Sequence, residues 1–496
     1  MPEPRTPDPR TPVLVGVAQL NQRPDSLDDA LEASALMTEV AVAAAHDAGA
    51  PALLAAVQLV VAVNGAWSYR DPARIVADAI GASGARTVRT THGGNTPQMV
   101  VDMAAEQIVS GGLDVALVVG AETIWSRRRM RAAGIDRSVT DQPEGVAPDE
   151  TWGPELDLVD PHEQERGLQQ PVEVYPIFET AIRAQRGESV EAHRDRIAAL
   201  WRGFNTAAVA NPFAWSRSAM TAEEIRDPSA SNRMVAFPYT KAMCSNWDLD
   251  QAAALILCSA QAAERLGVPR DRWVFVHGGA EAADTSYVSH RHELGRSPAI
   301  AAAWRALSSD RGVGVDDIRY LDVYSCFPSA VEAAVEAIGV DDSRPLTLTG
   351  GLTFAGGPLN NYVTHSIATI AGCLRSDPDA LGLITANGGL LTKHALGLYA
   401  GHPPQAPFRR TALADDQVPH QAREAAPDHT GAVTLEASTV MHDRNGPTHA
   451  LFAGLTGDGK RVWGTSTDGS VMDAAMTVEL AGTSADLDAE GRIHLH

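Results

Sequence analysis

The sequence predicts an α/β protein built from two similar halves, with a lobe inserted between them and a small all-β domain at the end. Three observations carry this. Short apolar runs such as 57–63 (VQLVVAV) alternate with Ala- and Leu-rich helical segments, the pattern of βαβ units around a largely parallel sheet. The order Gly-Gly, Asn with Pro nearby, apolar helix, Asp-bearing loop, apolar strand and Gly turn occurs at 93–121 and again at 356–388, an internal repeat at domain scale. After residue 431 the alternation gives way to short strand-like runs around a TGDGK turn, which suggests a small barrel or sandwich.

A chain of 496 residues exceeds what one core supports, so several units are expected. Residues 1–12 (MPEPRTPDPRTP) read as a disordered leader without the apolar stretch of a signal peptide. The first half spans 13–121 plus 246–280, with strands expected at 13–19, 57–63, 87–90 and 114–120 and helices at 26–48, 72–80 and 99–109. Between them, 122–245 breaks the alternation and reads as an inserted loop domain. The second half, 281–401, carries expected helices at 300–307, 328–338 and 361–374 and strands at 320–324, 381–385 and 394–399. A linker rich in Pro, Gln and Asp (402–428) precedes the β domain at 429–496.

Composition excludes several classes of partner. A net charge of -22 argues against nucleic acid and anionic membranes. The terminal module holds four basic residues against nine acidic, the reverse of a nucleic-acid-binding barrel. No run of 18 apolar residues is present, so no membrane insertion is expected. Cys244, Cys258, Cys326 and Cys373 are widely spaced and form no metal or disulfide pattern, which fits a reducing, cytoplasmic setting. The arginines at 127, 128, 129 and 131 read as a solvated face, with a phosphate-bearing ligand as the sharper alternative. Asp160, His162, Glu163 and Glu165 lack the helical spacing of a metal box and read as a solvated loop, so no metal is expected.

The stretch 90–122 organises the chain. Thr96 suits an N-cap and Pro97 the first helical position. From Met99 to Ile108 apolar residues cover most of the helix circumference, so the helix is buried on all sides. Its N-terminus opens onto Gly93-Gly94 and points free N–H groups at a ligand, a ready site for an anion or oxyanion.

The blocks TTHGGNTPQ (90–98), DVYSCF (322–327), GGLTFAGGP (350–358) and ITANGG (384–389), supported by PYTKAMCSN (238–246) and DLDQAAALIL (248–257), resemble the thiolase superfamily in order and spacing. The likeness is to its sterol-carrier-protein-type branch and to actinobacterial thiolase-like proteins with an added C-terminal domain. It implies duplicated βαβαβαββ halves forming a five-layer α-β-α-β-α core over residues 12–401. It also implies the acetyl-CoA acetyltransferase class of chemistry: acyl transfer or related C–C bond chemistry on a coenzyme A thioester, as in lipid metabolism. No cofactor is bound covalently; an acyl-CoA small molecule is the substrate or ligand.

Family thiolases use a cysteine at the first buried helix, a histidine in a GHP turn, a second cysteine in a C-x-G turn and an oxyanion-hole residue in an NEAF or HDCF block. The resemblance places the nucleophile on Gly94, the GHP histidine on Gly357, the second cysteine on Ala386 and the HDCF histidine on Tyr324, with Ser325 for its acid. An active site without the nucleophilic cysteine cannot form the usual acyl-enzyme. Tyr324, His365 and His394 are candidate acid, base or oxyanion groups, and His92, Asn387 and Gly388 candidate oxyanion or substrate-binding positions. Each has an ordinary alternative: a packed tyrosine, a satisfied core histidine, a strand-edge position. A non-covalent retro-aldol lyase and a non-catalytic acyl-CoA- or lipid-binding or assembly protein are the alternatives to acyl transfer. The edge strand RTVRTTH, through which family thiolases dimerise, is short and polar here, which favours a monomer.

Overall fold

The computed structural model describes residues 7–419 and 421–496. In chain order the elements are β1 (Pro12–Asn21), α1 (Ala33–Asp47), β2 (Leu59–Ala62), α2 (Pro72–Ala79), β3 (Arg86–Thr90), α3 (Thr96–Val109) and β4 (Val115–Thr123). The insert follows with α4 (Ile124–Ala132), β5 (Glu150–Trp152), α5 (Pro161–Glu165), α6 (Pro171–Arg186), α7 (Val190–Ala210), α8 (Ala222–Arg226), β6 (Met234–Ala236) and β7 (Tyr239–Thr240). The body resumes with β8 (Asp250–Ser259), α9 (Ala260–Arg265), β9 (Val274–Ala283), α10 (Pro298–Arg311), β10 (Ile318–Asp322) and α11 (Pro328–Ile338). It ends with α12 (Gly351–Phe354), α13 (Tyr362–Ser376), β11 (Leu381–Gly388), β12 (Lys393–Ala400) and β13 (Arg410–Ala412). The terminal module is β14 (Gly431–His442), β15 (Pro447–Leu455), β16 (Arg461–Ser466), α14 (Gly469–Thr477), β17 (Ser484–Leu487) and β18 (Ile493–Leu495).

The strand order β10-β11-β12-β9-β1-β8-β4-β2-β3-β5 is two half-sheets joined at one seam, where Val13 and Leu14 of β1 meet Phe275 and Val274 of β9. Both faces are covered, so strands read as continuous apolar runs. In β2, Val60 and Ala62 face α1 and α2, while Leu59 and Val61 face α3, as period-2 alternation requires. The central layer is α3 and α13, packed between Val61 and Leu255 of one half-sheet and Ile384 and Ala395 of the other. Beyond the second half-sheet, α10 and α11 close the outer layer. The result is the five-layer α-β-α-β-α arrangement of duplicated halves.

Local differences from the sequence reading have identifiable causes. The cap of α3 is Asn95, one residue earlier than Thr96; the Thr96 hydroxyl donates instead to the Gly93 carbonyl at 2.8 Å. Among the described residues, the second half has no strand between α11 and α13. The buried Asp322 carboxylate draws in the N–H groups of Leu348 and Thr349 at 2.8 and 3.0 Å, leaving that segment one ladder bond, Val323 N to the Leu346 carbonyl. Residues 1–6 of the expected leader lie outside the described residues. Arg10 is pinned, its guanidinium donating to the carbonyls of Ile108 and Leu113 and to Asp114.

Two expectations are corrected. The Asp160–Glu165 segment is not a solvated loop: Asp160 caps α5, and the buried Glu163 accepts from the Ser289 N–H and hydroxyl, both at 2.6 Å. The terminal module is not wholly β. Asp468 caps α14 by accepting from Ser470 N and Val471 N, and Val471, Met472 and Ala475, at helical spacing, bury their side chains. Its sheet, β16-β15-β14-β17-β18, recruits β6 and β7 from the insert. It docks through Trp463 Nε1 to Ser289 Oγ at 2.8 Å and the fully buried Arg461, paired with Glu436 at 2.8 Å. The arginines of α4 are exposed, with Arg128 paired to Asp248 and Arg129 over the Trp125 ring.

Candidate functional site

The candidate site lies where the cap of α3 meets the ends of β10 and β11. Gly94 precedes that cap. A Cβ built on Gly94 would fall 2.3 Å from the Tyr324 hydroxyl oxygen and 2.5 Å from the Asn387 carbonyl oxygen, far inside van der Waals contact. The phenol therefore fills the volume that a side chain at position 94 would need. Tyr324 is held at its backbone, where its N–H donates to Thr385 Oγ1 at 2.9 Å, and by edge-to-face contact with Tyr362. Its hydroxyl makes no hydrogen bond among the described residues. Burial, with Cys326 alongside, pushes its pKa well above that of an ordinary tyrosine, so it is a phenol and a donor at neutral pH.

The neighbouring glycines are equally close-packed. Asn95 Oδ1 sits 2.4 Å from a Cβ built on Gly93 and 2.3 Å from one on Gly388, so both must be glycine for the turn over α3 to close. Gly93 N donates to Asn360 Oδ1 at 3.0 Å, and Asn360 Nδ2 reaches the Asn64 carbonyl at 2.9 Å. Lys393 Nζ donates to the His92 carbonyl, and burial lowers its pKa. The His92 ring is exposed beside Asn360. At Gly357 a Cβ would meet Leu352 Cβ at 3.3 Å and the Asn246 carbonyl at 3.4 Å, tight for a histidine. The described non-glycine residues at positive φ, Leu359 at 46° and Leu391 at 59°, flank this site in the turns after Gly357-Pro358 and Asn387-Gly388-Gly389. Such backbone strain concentrates at functional sites.

The sequence-predicted residues divide between two faces. Along β12 successive side chains alternate: Lys393 points to α3, and His394 points the other way. His394 Nε2 lies 3.1 Å from Asp284 Oδ2 and 3.3 Å from Ser297 Oγ at the start of α10. Burial acts to raise the Asp284 pKa, but the contact with His394, the Arg291 charge and the Ser297 hydrogen bond together leave it lowered. Asn387 pairs with His394 across the ladder and shares its face. Its Nδ2 donates to the Tyr175 hydroxyl at 3.0 Å, while its Oδ1 is buried without a partner. Tyr324, Gly94, Gly388 and Lys393 thus meet over α3, and His394 and the Asn387 amide do not join them. His365, on α13, binds Gln19 Oε1 through Nδ1 at 3.0 Å. Burial drives its pKa down to about 3, so the ring is neutral, and Nε2 has no partner.

No activated thiol replaces the absent cysteine. Burial pushes Cys326 and Cys244 up to about 12, and thiols there are inert. Several buried polar atoms have no partner among the described residues, including Asn95 Oδ1 beside Gly93 and Gly388, and Asn361 Nδ2, Ser325 Oγ and His365 Nε2 elsewhere in the core. Each costs roughly 1–3 kcal/mol unless water or a ligand satisfies it. Sequence reasoning missed Asn95, Asn360, Lys393 and Tyr175 as parts of this junction. Only the Lys393-His394 pair offered a signal.

No family model matches the chain, and no curated protein matches it in sequence. Solved structures do. A monomeric SCP2-thiolase-like protein type 1 from Mycobacterium smegmatis superposes with a TM-score of 0.84 at 29% identity, over 99% of this chain and 100% of that one. An acetyl-CoA acetyltransferase from Syntrophomonas wolfei matches with a TM-score of 0.57 at 18% identity, over 79% of this chain and 99% of that one. The Ltp2-ChsH2(DUF35) aldolase matches with a TM-score of 0.60 at 18% identity, over 79% and 98%. With the five layers, the duplicated halves and the glycine turn over α3, the likeness at 29% identity places the chain in the thiolase-fold superfamily, and the other two show the same fold.

Proposed function

We propose that the protein acts on acyl-CoA thioesters without a covalent acyl-enzyme, using the Tyr324 phenol over α3 to stabilise a thioester enolate. The single observation that carries this is the Tyr324 hydroxyl lying where a nucleophile's Cβ would be. It leaves no room for an acyl-carrying side chain at 94 and puts an unpaired donor at that point. Among C–C bond reactions this suits retro-aldol cleavage of a β-hydroxyacyl thioester. The bond between the α and β carbons breaks, its electron pair passes to the thioester carbonyl as an enolate, and the β-hydroxyl loses its proton to become a carbonyl. Tyr324 hydrogen-bonds the enolate oxygen, the neutral His365 is the candidate proton acceptor, and the α carbon is protonated to release a shortened acyl-CoA. An aldolase built on the same fold agrees with this chemistry. The covering of β3 by β5, through the ladder Val88–Glu150 to Thr90–Trp152, supports action as a monomer.

The test is cleavage of β-hydroxyacyl-CoA substrates followed by product release, with binding measured in parallel by calorimetry. Tyr324→Phe is expected to lower kcat about 100-fold or more while leaving CoA-thioester affinity within a few-fold. Unchanged turnover in Tyr324→Phe, or an acyl-enzyme found by intact-mass spectrometry, would sink the proposal. Ligand binding without turnover is the second reading. One observation favours it: Tyr324 is pushed up, His365 down to about 3, and neither sits near neutrality, where an acid–base catalyst works best. Binding of acyl-CoA with no cleavage of any β-hydroxy or β-keto thioester would select it.

A further inference from the structure

Away from α3, between the insert and the second half, a buried cluster holds chemistry that the thioester site does not use. Glu179 on α6 and His193 on α7 are fully buried, and Glu332 on α11 is 9% exposed. One donor atom from each lies within 4.8 Å of the others. His193 Nε2 is 2.7 Å from Glu179 Oε1, and its Nδ1 is 2.8 Å from Glu188 Oε2. Tyr239 donates to Glu179 Oε2 at 2.5 Å. Arg196 pairs with Glu188 and Glu332, and Arg186 reaches Glu188 from the exposed edge. Glu332 Oε2 is buried with no partner. The carboxylates of Glu179 and Glu332 face one another, and a carboxylate only accepts. Something positive must stand between them, either a proton or a cation.

We propose that Glu179, His193 and Glu332 form a binding site for one divalent transition-metal ion that ties the insert to the second half. Two carboxylates and an imidazole are the donor set of borderline ions such as Zn²⁺ and Mn²⁺. Each first ligand already has an outer partner: Glu188 and Arg196 both reach His193 Nδ1, and Tyr239 orients Glu179. His193 Nε2 turns from Glu179 Oε1 to the ion once the proton between them is displaced. Such support is the rule in metal sites. Glu332 also lines a solvent-open cleft of about 520 Å³, where Glu336, Asp341 and Asp342 stand with Arg186 and Arg196, so that carboxylates outnumber the arginines. Donors on one tetrahedral ion at about 2.1 Å stand roughly 3.4 Å apart, so the Glu179–His193 contact widens as the ion replaces the proton between them. Burial raises the pKa of Glu179 and Glu332, so an ion displaces protons that these carboxyls hold, and it lowers that of His193, which favours the neutral, metal-binding ring.

The test uses the full chain, stripped with a chelator and titrated with Zn²⁺ and, separately, Mn²⁺. The expected result is one equivalent per chain by elemental analysis after dialysis, proton release on binding and a rise in Tm. Glu332→Gln and His193→Gln each weaken binding at least tenfold. Because a variant of a buried cluster can lose its fold, Co²⁺ is also bound to the unsubstituted protein, where visible d–d absorption must report N/O coordination. Absence of a stoichiometric ion in the unsubstituted protein overturns the site and assigns a shared proton to the cluster. So does binding that survives in folded Glu332→Gln but is lost in His494→Ala, which would place the ion on the exposed His494 beside Asp488.

Discussion

The junction over α3 and the cluster between α6, α7 and α11 are opposite solutions to a buried polar site. The first is made of glycines, amides and one phenol: Gly93, Gly94, Gly388, Asn95 and Tyr324 fit so closely that three Cβ atoms are excluded. The second is made of ionisable groups, three of them carboxyls, around one histidine and one arginine. The first sits at the cap of α3, in the central layer that organises the core. The second sits where helices of the insert, α6 and α7, pack on α11 of the second half. The difference teaches that the turn over α3 is closed by neutral hydrogen-bonding groups, whereas the contact between the added lobe and the second half is built from ionisable ones.

The sharpest way to break that comparison is to return a nucleophile to α3. Gly94→Cys forces a Cβ to within 2.3 Å of the Tyr324 oxygen and 2.5 Å of a backbone carbonyl. Overpacking against rigid neighbours costs about 3 kcal/mol, and urea denaturation should show a loss of that size. Pairing Gly94→Ala with Tyr324→Ala should cost less than the sum of the two single changes, because the second makes room for the first. A stable Gly94→Cys protein that takes up an acyl group from acyl-CoA would mean that the glycine marks no steric exclusion.

A smaller effect separates the two sites by pH. In the chelator-treated protein Glu179 and Glu332 hold folded pKa values above their ordinary range, so their share of stability is present below pH 4.5 and fades as pH rises through the folded values. His193 is lowered, so its share is complete above pH 6.5 and lost below. Above pH 6.5 the carboxyls are the members of the cluster that change, and they add to the fall of stability with rising pH that the raised Glu122 and Asp102 also give. Glu332→Gln should flatten that slope. Tyr324→Phe should leave it unchanged between pH 6.5 and 9, because a phenol raised by burial does not titrate there. Thermal melts across this range read both, and equal slopes in all three proteins would remove the distinction.

Much of the framework is legible because its signals are local and repeated. Doubly buried strands announce themselves as VQLVVAV and QAAALILCS, and α3 is apolar around its circumference. The junction is legible only through family blocks, since nothing near Gly94 says that Tyr324, far along the chain, fills its Cβ volume. The cluster was invisible: Glu179, His193 and Glu332 share no motif spacing and meet only when α6, α7 and α11 pack. Asp160 and His162, adjacent in sequence and suggestive on paper, serve a helix cap. In the terminal module the Asp468 cap and the Val471, Met472 and Ala475 stripe carry a helix as far as Thr477 among runs that read as short strands.

The smallest effect concerns how much the insert protects the framework. The polar strand β3, which as an open edge would present unpaired N–H and C=O groups, carries β5 on that side. Val88, Arg89 and Thr90 pair with Glu150, Thr151 and Trp152, Thr91 N donates to the Trp152 carbonyl at 2.9 Å, and Arg86 pairs with Glu150 at 2.9 Å. A partner subunit would have to displace this strand before adding its own. Light scattering should therefore give a monomer mass at every concentration tested. Thr151→Pro, which removes an N–H from the three-residue covering strand and constrains its backbone, should bring only a slight concentration-dependent rise in mass, since the Arg- and Thr-bearing edge of β3 offers little apolar area to a second copy. A firm dimer in the unsubstituted protein would show that β5 does not close that edge to a second copy.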